Sequence, residues 1–307
     1  MKHLRPKTDV LNGISHHAAG KIRRTRTLWE PSMSHILRSI VFASLSLICV
    51  LPTSAKAEQK VWANPQSGEK SPQRPQAEAS DWSFEVGGGA MVGTAYEGSD
   101  KYVFMPVPNL SVEYKNGLFF VGGMGGIGSY PLQGENYKVG ASVGLAFGRD
   151  EDDDKDNLRG MGDIDQAVAF NLMGEYDFGP VKLSGKVTKG TDDYGTTATL
   201  ELGTMIPVAE QVMLMGSVES TWADSDHMMR YFGVSTTQSA RSGYRRFKAE
   251  SGVKSVGFAV GAIYNITEHW GANLMVKGDQ LLGDAADSPI TKQDFQPMAF
   301  LAVSYKF

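Results

Sequence analysis

Residues 300–307 read Phe-Leu-Ala-Val-Ser-Tyr-Lys-Phe (FLAVSYKF), and the sequence stops there. Leu301, Val303, Tyr305 and Phe307 are apolar and two apart, with Ala302, Ser304 and Lys306 between them. A period of two belongs to a strand with one apolar face and one mostly polar face. A strand that ends on an aromatic, with no polar tail after it, raises the question of what the apolar face touches.

The same alternation recurs upstream. Val168, Phe170, Leu172, Tyr176 and Phe178 share one parity, and Asn171, Glu175 and Asp177 the other. Val256, Phe258, Val260, Tyr264 and Ile266 repeat the pattern, as do Trp270, Leu274 and Val276, and Val212, Leu214, Val218 and Trp222. Weaker copies lie at 82–93, 102–114, 117–128, 137–149, 180–189 and 195–206. No apolar stripe of helical period accompanies them. Tight turns sit at Lys115-Asn116-Gly117, Asp177–Pro180, Pro207–Gln211 and Asn265–Glu268, whereas long polar connections run over 150–163, 223–248 and 283–296. Short turns at one end and long loops at the other are the plan of an outer-membrane barrel.

A soluble β-sandwich also alternates. Against it stand segments of ten or more residues, longer than the usual five or six. Aromatics near segment ends (Trp82, Tyr176, Phe178, Trp222, Tyr264, Trp270, Tyr305, Phe307) also fall where membrane girdles sit. Charged residues make up 21% of the chain and no apolar run is long enough for a spanning helix, which excludes helical membrane proteins only. The expectation is one all-β domain over residues 81–307, a single antiparallel transmembrane β-barrel of about twelve strands, with ten as the alternative. It should carry long outer loops and short periplasmic turns in the outer membrane of a Gram-negative bacterium. Eleven segments alternate, and bacterial barrels have an even number of strands. One strand is therefore hidden or wrongly split, with the Gly-rich stretch 121–140 and the segment 244–253 as the places to look. The apolar face then touches lipid, and a C-terminal strand ending in Phe307 is the expected signal for the insertion machinery.

The N-terminal region reads as targeting sequence. From Met33 the chain runs MSHILRSIVFASLSLICVLPTSAKAEQ, with Arg38, an apolar core over Ile40–Leu51 and a small-x-small site at Ala55-Lys56-Ala57. Residues 33–57 are thus expected to be a signal peptide cut after Ala57. Residues 1–32 form a basic, polar extension, which leaves Met1 and Met33 as candidate starts, and residues 58–80 form a Pro/Gln/Glu/Ser-rich linker. Cleavage would remove nine Lys/Arg and two Asp/Glu of the 30 and 34 present, leaving 21 against 32 and a net charge of −11. That balance argues against nucleic acid as a partner. The one cysteine, Cys49, would leave with the signal, and bulky Ile48 before it argues against lipidation.

With the barrel plan in hand, the chain resembles the MipA/OmpV family of MltA-interacting outer-membrane proteins over about residues 82–307. The resemblance is carried by Gly98-Ser99-Asp100 after Tyr96, Pro106-Val107-Pro108, Gly148-Arg149, and Leu158-Arg159-Gly160-Met161-Gly162-Asp163-Ile164-Asp165. It continues through Tyr231-Phe232-Gly233-Val234-Ser235, Ser242-Gly243-Tyr244, Leu281-Leu282-Gly283-Asp284-Ala285-Ala286-Asp287-Ser288-Pro289 and Tyr305-Lys306-Phe307. The acidic run 150–156 and the N-terminal extension depart from the pattern. The resemblance implies a non-enzymatic barrel without a cofactor. It would act as a scaffold bringing a lytic transglycosylase together with a bifunctional penicillin-binding protein in cell-wall growth; other members are described as adhesins or surface proteins.

Few residues carry chemistry. His227, in Ala223-Asp224-Ser225-Asp226-His227, is the one candidate for an acid–base pair in an outer loop, and no second acid–base group accompanies it. His269 beside Trp270 reads as interfacial. Asp152, Asp154 and Asp156 alternate as in a calcium loop, but Asn157 replaces the turn glycine and Asp163 the final glutamate. They are weak metal candidates, and a solvated loop is the simpler reading. Arg241, Arg245, Arg246 and Lys248 form a basic cluster suited to lipopolysaccharide phosphates or another anion. Tyr231-Phe232-Gly233-Val234 is an apolar knot in a polar loop and is expected to pack on the barrel lumen. Lys182, Lys186, Glu175, Asp177, Glu201, Glu219, Lys277 and Asp279 fall on the inward parity. A narrow solute channel and a surface adhesin or lipopolysaccharide-binding barrel are the alternatives to a scaffold.

Overall fold

A computed structural model describes residues 80–122 and 125–307. The expected extension, signal peptide and linker, with Cys49, fall in residues 1–79 and lie outside the described residues. Twelve strands close into an antiparallel barrel with each strand beside its sequence neighbours. They are β1 (Trp82–Thr94), β2 (Tyr102–Tyr114), β3 (Phe119–Gly122), β4 (Gly126–Gln133), β5 (Tyr137–Ala146) and β6 (Ala167–Phe178), then β7 (Val181–Gly190), β8 (Thr196–Ala209), β9 (Val212–Ala223), β10 (Gly252–Asn265), β11 (Trp270–Leu281) and β12 (Phe295–Lys306).

Closure is made by β12 against β1, in register from Glu85↔Lys306 to Val92↔Ala299. Alternation then decides everything about the wall. Leu301, Val303, Leu274, Val260, Leu200, Leu172 and Phe170 are all exposed on the outside, a surface that only hydrocarbon would accommodate. Aromatic rings collect at the turn end, where Trp82 lies 4.6 Å from Tyr114, Tyr176 4.5 Å from Phe178 and Trp270 5.2 Å from Tyr305. At the loop end Tyr102, Phe104, Phe170, Trp222 and Phe295 make the second belt. No described helix is long and apolar enough to cross a membrane. The strands do the crossing.

The hidden strand is β4. The Gly-rich stretch conceals a split: β3 and β4 form a short hairpin where the alternation suggested one segment over 117–128. Glycine masks the period because it contributes to neither face. Gly128 is required there, since a Cβ would strike the ring of inward-facing Phe120, which packs 5.6 Å from Tyr130. The other suspect, 244–253, is connection apart from its last two residues, which begin β10. A second departure is helical: α1 (Ser225–Tyr231), α2 (Thr236–Ser242) and α3 (Gly283–Ala286) sit in the long connections. Two turns or fewer are too short to display a helical period.

The seam between β12 and β1 is tight. A Cβ at Gly87 would collide with the Val303 carbonyl and Ser304 Cα across the pair, whereas one at outward-facing Gly174 would meet nothing. Gly87→Val should therefore cost about 1–3 kcal/mol and reduce the folded, heat-modifiable band in unboiled gels. Gly174→Val should leave that band unchanged.

Candidate functional site at the loop end

The long connections do not hang in solvent. Residues 147–166, 224–251 and 282–294 fold together with 95–101 into a cap that has its own apolar core. α1 begins because Asp224 accepts from the His227 backbone N–H (2.9 Å). α2 begins because Ser235 and Gln238 exchange side-chain and backbone bonds in a capping box, and it ends on Gly243 at φ 81°. This geometry delivers Met228 and Phe232 onto Ala223, Leu281 and Ala285. Ala223 and Leu281 are the last residues of β9 and β11, so the apolar knot does pack at the top of the lumen. Val234 joins Met161 and Ile290 in a second cluster, and Leu158 joins Ala95 and Tyr96 in a third.

Polar side chains staple the loops to one another. Tyr96 Oη donates to the Ile290 carbonyl (2.7 Å), Ser288 Oγ to the Phe232 carbonyl (2.6 Å) and Gln238 Nε2 to the Met161 carbonyl (2.7 Å). Asp284 accepts from the Glu250 N–H (2.7 Å) and Asp287 lends its carbonyl to Arg245 (3.2 Å), while within α2 Ser242 Oγ donates to the Gln238 carbonyl (2.7 Å). Gly160, at φ 85°, is where the 147–166 loop meets α2, since a Cβ would strike the Arg241 backbone. Pro289 separates Ser288 from Ile290, both buried. The motif residues singled out by sequence therefore hold the cap together, with Phe307 as the exception at the opposite end. Its N–H donates to the Phe84 carbonyl (2.9 Å) and its ring packs 4.9 Å from Tyr305.

Charge in the cap is locally neutralised. Lys101 Nζ reaches Asp154 and Asp156, both at 2.6 Å, and Asp154 is buried and also accepts from Asn157 (2.7 Å). Burial alone would push the Asp154 carboxyl up, but the Lys101 and Asn157 hydrogen bonds outweigh it and hold the group below its usual value. Asp152 pairs instead with Lys155 (3.3 Å). The three aspartates are thus shared out between lysines, and no group of three or more His, Cys, Asp or Glu among the described residues could hold a metal ion. Asp153 is pushed up to about 6, chiefly by burial. Arg149 is buried, donates to the Tyr231 carbonyl (2.8 Å) and lies 5.9 Å from the Tyr96 ring. Burial lowers it to about 10, so it remains a cation at neutral pH.

His227 is only 3% exposed. Its ring stacks 4.6 Å from Tyr231, and Nδ1 lies 3.1 Å from the Tyr194 carbonyl. Asp224 contacts the His227 backbone rather than the imidazole, so the pair is a helix cap. The basic cluster is dispersed: Arg241 faces Glu151 (3.5 Å), Arg245 lies over Phe247 (5.1 Å) and Lys248 faces Glu250 (3.3 Å). Arg246 is exposed and makes no polar contact among the described residues. His269, at a turn, stacks 5.4 Å from Tyr305.

Below the cap, one side of the lumen is lined by ion pairs. Lys277 bridges Glu219 (2.8 Å) and Asp279 (3.2 Å), and Lys182 bridges Glu175 (3.0 Å) and Asp177 (3.6 Å). Inward Lys186 and Glu201 stand on neighbouring strands between those groups. Sequence reasoning missed the pair Lys254–Glu97 (2.8 Å), which ties β10 to the β1–β2 connection. Its only signal is a lysine interrupting the apolar start of β10.

A family model described as MltA-interacting protein MipA matches residues 86–307. No curated protein matches the chain. Among solved structures it is similar to the KdgM porin in complex with disordered oligogalacturonate, at 9% identity over 73% of this chain and 99% of that one, with a TM-score of 0.37. It is similar to the COG4313 outer membrane channel from Pseudomonas putida F1 at 11% identity over 78% and 100%, TM-score 0.38. OmpT of Vibrio cholerae matches at 9% identity over 74% and 97%, TM-score 0.35.

The buried imidazole makes the cap acid-sensitive. Burial is the main cause that drives His227 down to about 3; the Lys254 charge adds to it, while the Tyr194 carbonyl and Asp224 oppose it. The other charges around it are paired, Lys254 with Glu97 and Asp224 with Lys189. A histidine that must stay neutral when folded contributes stability above its unfolded pKa near 6.5 and loses it as pH falls toward 3. At about 1.4 kcal/mol per pH unit, the His227 contribution should fall by about 2 kcal/mol between pH 6.5 and 4.5, while Asp153, whose raised carboxyl favours the folded cap as pH falls, opposes it. His227→Gln should therefore make residues 224–251 of the intact barrel less protease-sensitive at pH 4.5, relative to pH 6.5, than in the unaltered protein.

Proposed function

Because the chain belongs to the MltA-interacting protein MipA family, we propose that this outer-membrane β-barrel is a non-enzymatic scaffold. It holds a lytic transglycosylase and a bifunctional penicillin-binding protein together during cell-wall growth. The observation that carries the reading is the extent of the family match: residues 86–307 span nearly the whole folded domain, from within β1 to the last residue. The geometry supports it. A mouth covered by a cap with its own apolar core, above a lumen lined on one side by ion pairs, suits a rigid peg in the membrane better than a wide pore.

Peptidoglycan lies on the periplasmic side, so the partners would meet the turn end. There the connections 115–118, 134–136, 179–180, 210–211 and 266–269 form a flat, short-looped face. The outer end would meet lipopolysaccharide, with exposed Arg246 as a guanidinium available to pair with a phosphate.

Crosslinking in whole envelopes followed by affinity capture should recover both cell-wall enzymes, and refolded protein should stay silent in a planar bilayer. Steady open current without those enzymes would move the assignment to a narrow solute channel lined by Lys186, Glu201 and their neighbours. Recovery of lipopolysaccharide alone would move it to a surface-binding barrel.

A further inference from the structure

Two arginines are exceptions to the pairing of charge within the cap. Arg149 belongs to the 147–166 loop, where it is bridged to Ile164, and Arg230 stands in the last turn of α1. They are neighbours because Arg149 Nη1 donates to the carbonyl of Tyr231 (2.8 Å), the residue directly after Arg230. Neither forms an ion pair with a carboxylate among the described residues. Arg149 is 3% exposed, and its Nε has no hydrogen-bond partner. The Nε of half-buried Arg230 is also enclosed and also without a partner.

The surroundings do not neutralise them. Asp153 feels the Arg149 charge but turns its carboxylate onto the Asp150 N–H (2.8 Å), and burial keeps its carboxyl up at about 6. Glu97, an acid within electrostatic reach of Tyr231, is taken by Lys254 (2.8 Å). The tyrosines beside the pair spend their hydroxyls elsewhere, Tyr96 on the Ile290 carbonyl and Tyr231 on the Phe147 carbonyl. The two guanidiniums are left to repel one another. A buried charged donor without an acceptor is costly. Two of them around one helix turn point to an acceptor that the chain itself does not provide.

We propose that the 147–166 loop and the C-terminal turn of α1 hold a phosphate group between them, with Arg149 Nε and Arg230 Nε as donors. Two uncompensated cations ask for about two negative charges in a small volume. A phosphate group carries about −1.5 to −2 at pH 7 and offers three acceptor oxygens, whereas a carboxylate brings a single charge. Guanidinium suits it, because its donors lie in a fixed plane and it stays charged when buried. Arg230 is partly exposed, so the site reaches solvent on that side. The group is either free phosphate or a phosphate on a lipopolysaccharide headgroup at the outer surface; the recognition chemistry is the same. Bound there, it would fasten the 147–166 loop to residues 224–251. The site goes beyond the scaffold reading and does not depend on it.

The test is titration of the intact barrel in neutral detergent with inorganic phosphate and, separately, with lipopolysaccharide micelles, chloride holding the ionic strength constant. Saturable binding of phosphate, with slower protease cleavage within residues 224–251, is the expected result. Arg230→Gln, with folding checked by heat-modifiable mobility, should weaken that binding about tenfold or more. Arg159→Gln, which removes an exposed arginine from the same loop, should leave it unchanged. Binding of lipopolysaccharide alone, weakened by Arg230→Gln and not by Arg159→Gln, would support the site and assign its phosphate to the headgroup. Absence of saturable binding of both probes by the unaltered protein would overturn the proposal, and that titration decides the matter even where a variant does not fold. Binding that survives Arg230→Gln undiminished would equally overturn it.

Discussion

Every backbone group that crosses hydrocarbon must find its hydrogen-bond partner within the protein, and in this chain one pairing turns an open sheet into a cylinder. β12 lies against β1, eight residue pairs in register, and without that seam two long strand edges would face lipid. The close approach of Gly87 and Gly89 to the backbone of β12 follows from it, because side chains there would hold the edges apart. The apolar exterior, the aromatic belts and the separation of turns from loops are consequences of closing the sheet.

Closure creates a second problem, an interior and a mouth that water and solutes would otherwise fill. Two solutions meet here. Along the lumen, opposite charges bridge one another, as Lys277 of β11 does to Asp279 on its own strand and, past β10, to Glu219 of β9. Over the mouth, the loops bury apolar side chains against one another and spend their polar groups on each other's carbonyls. Tyr96, Ser288 and Gln238 each fasten a carbonyl on a different loop, and Lys101 neutralises the buried Asp154. The cap is thus a small globular assembly set on the barrel, which is why a buried neutral histidine can exist in what is formally a loop.

Much of the barrel was legible in the sequence because strand alternation is local and periodic. Leu301, Val303 and Tyr305 announce the outward face of β12, and Lys277 and Asp279 the inward face of β11. β4 was obscured because Gly122, Gly126 and Gly128 carry no hydropathy with which to mark a period. The helices were obscured by length, although Asp224 before His227 and Ser235 before Gln238 are start signals that stand in the sequence. The aspartates at 152, 154 and 156 resembled a cation loop only while Lys101, brought from 53 residues away to Asp154, was absent from view.

By itself the sequence determined which side chains of each strand meet lipid and which meet the lumen, because a two-residue period forces that choice at every position. It also determined where the chain turns tightly, through Lys115-Asn116-Gly117 and its equivalents. Only the tertiary structure decided what the loops do. Tyr96 finds Ile290 across 194 residues, Ser99 finds Asp154 across 55, and Lys254 finds Glu97 across 157. Such contacts leave no periodic trace, since they depend on how a closed cylinder brings distant strand ends to one rim.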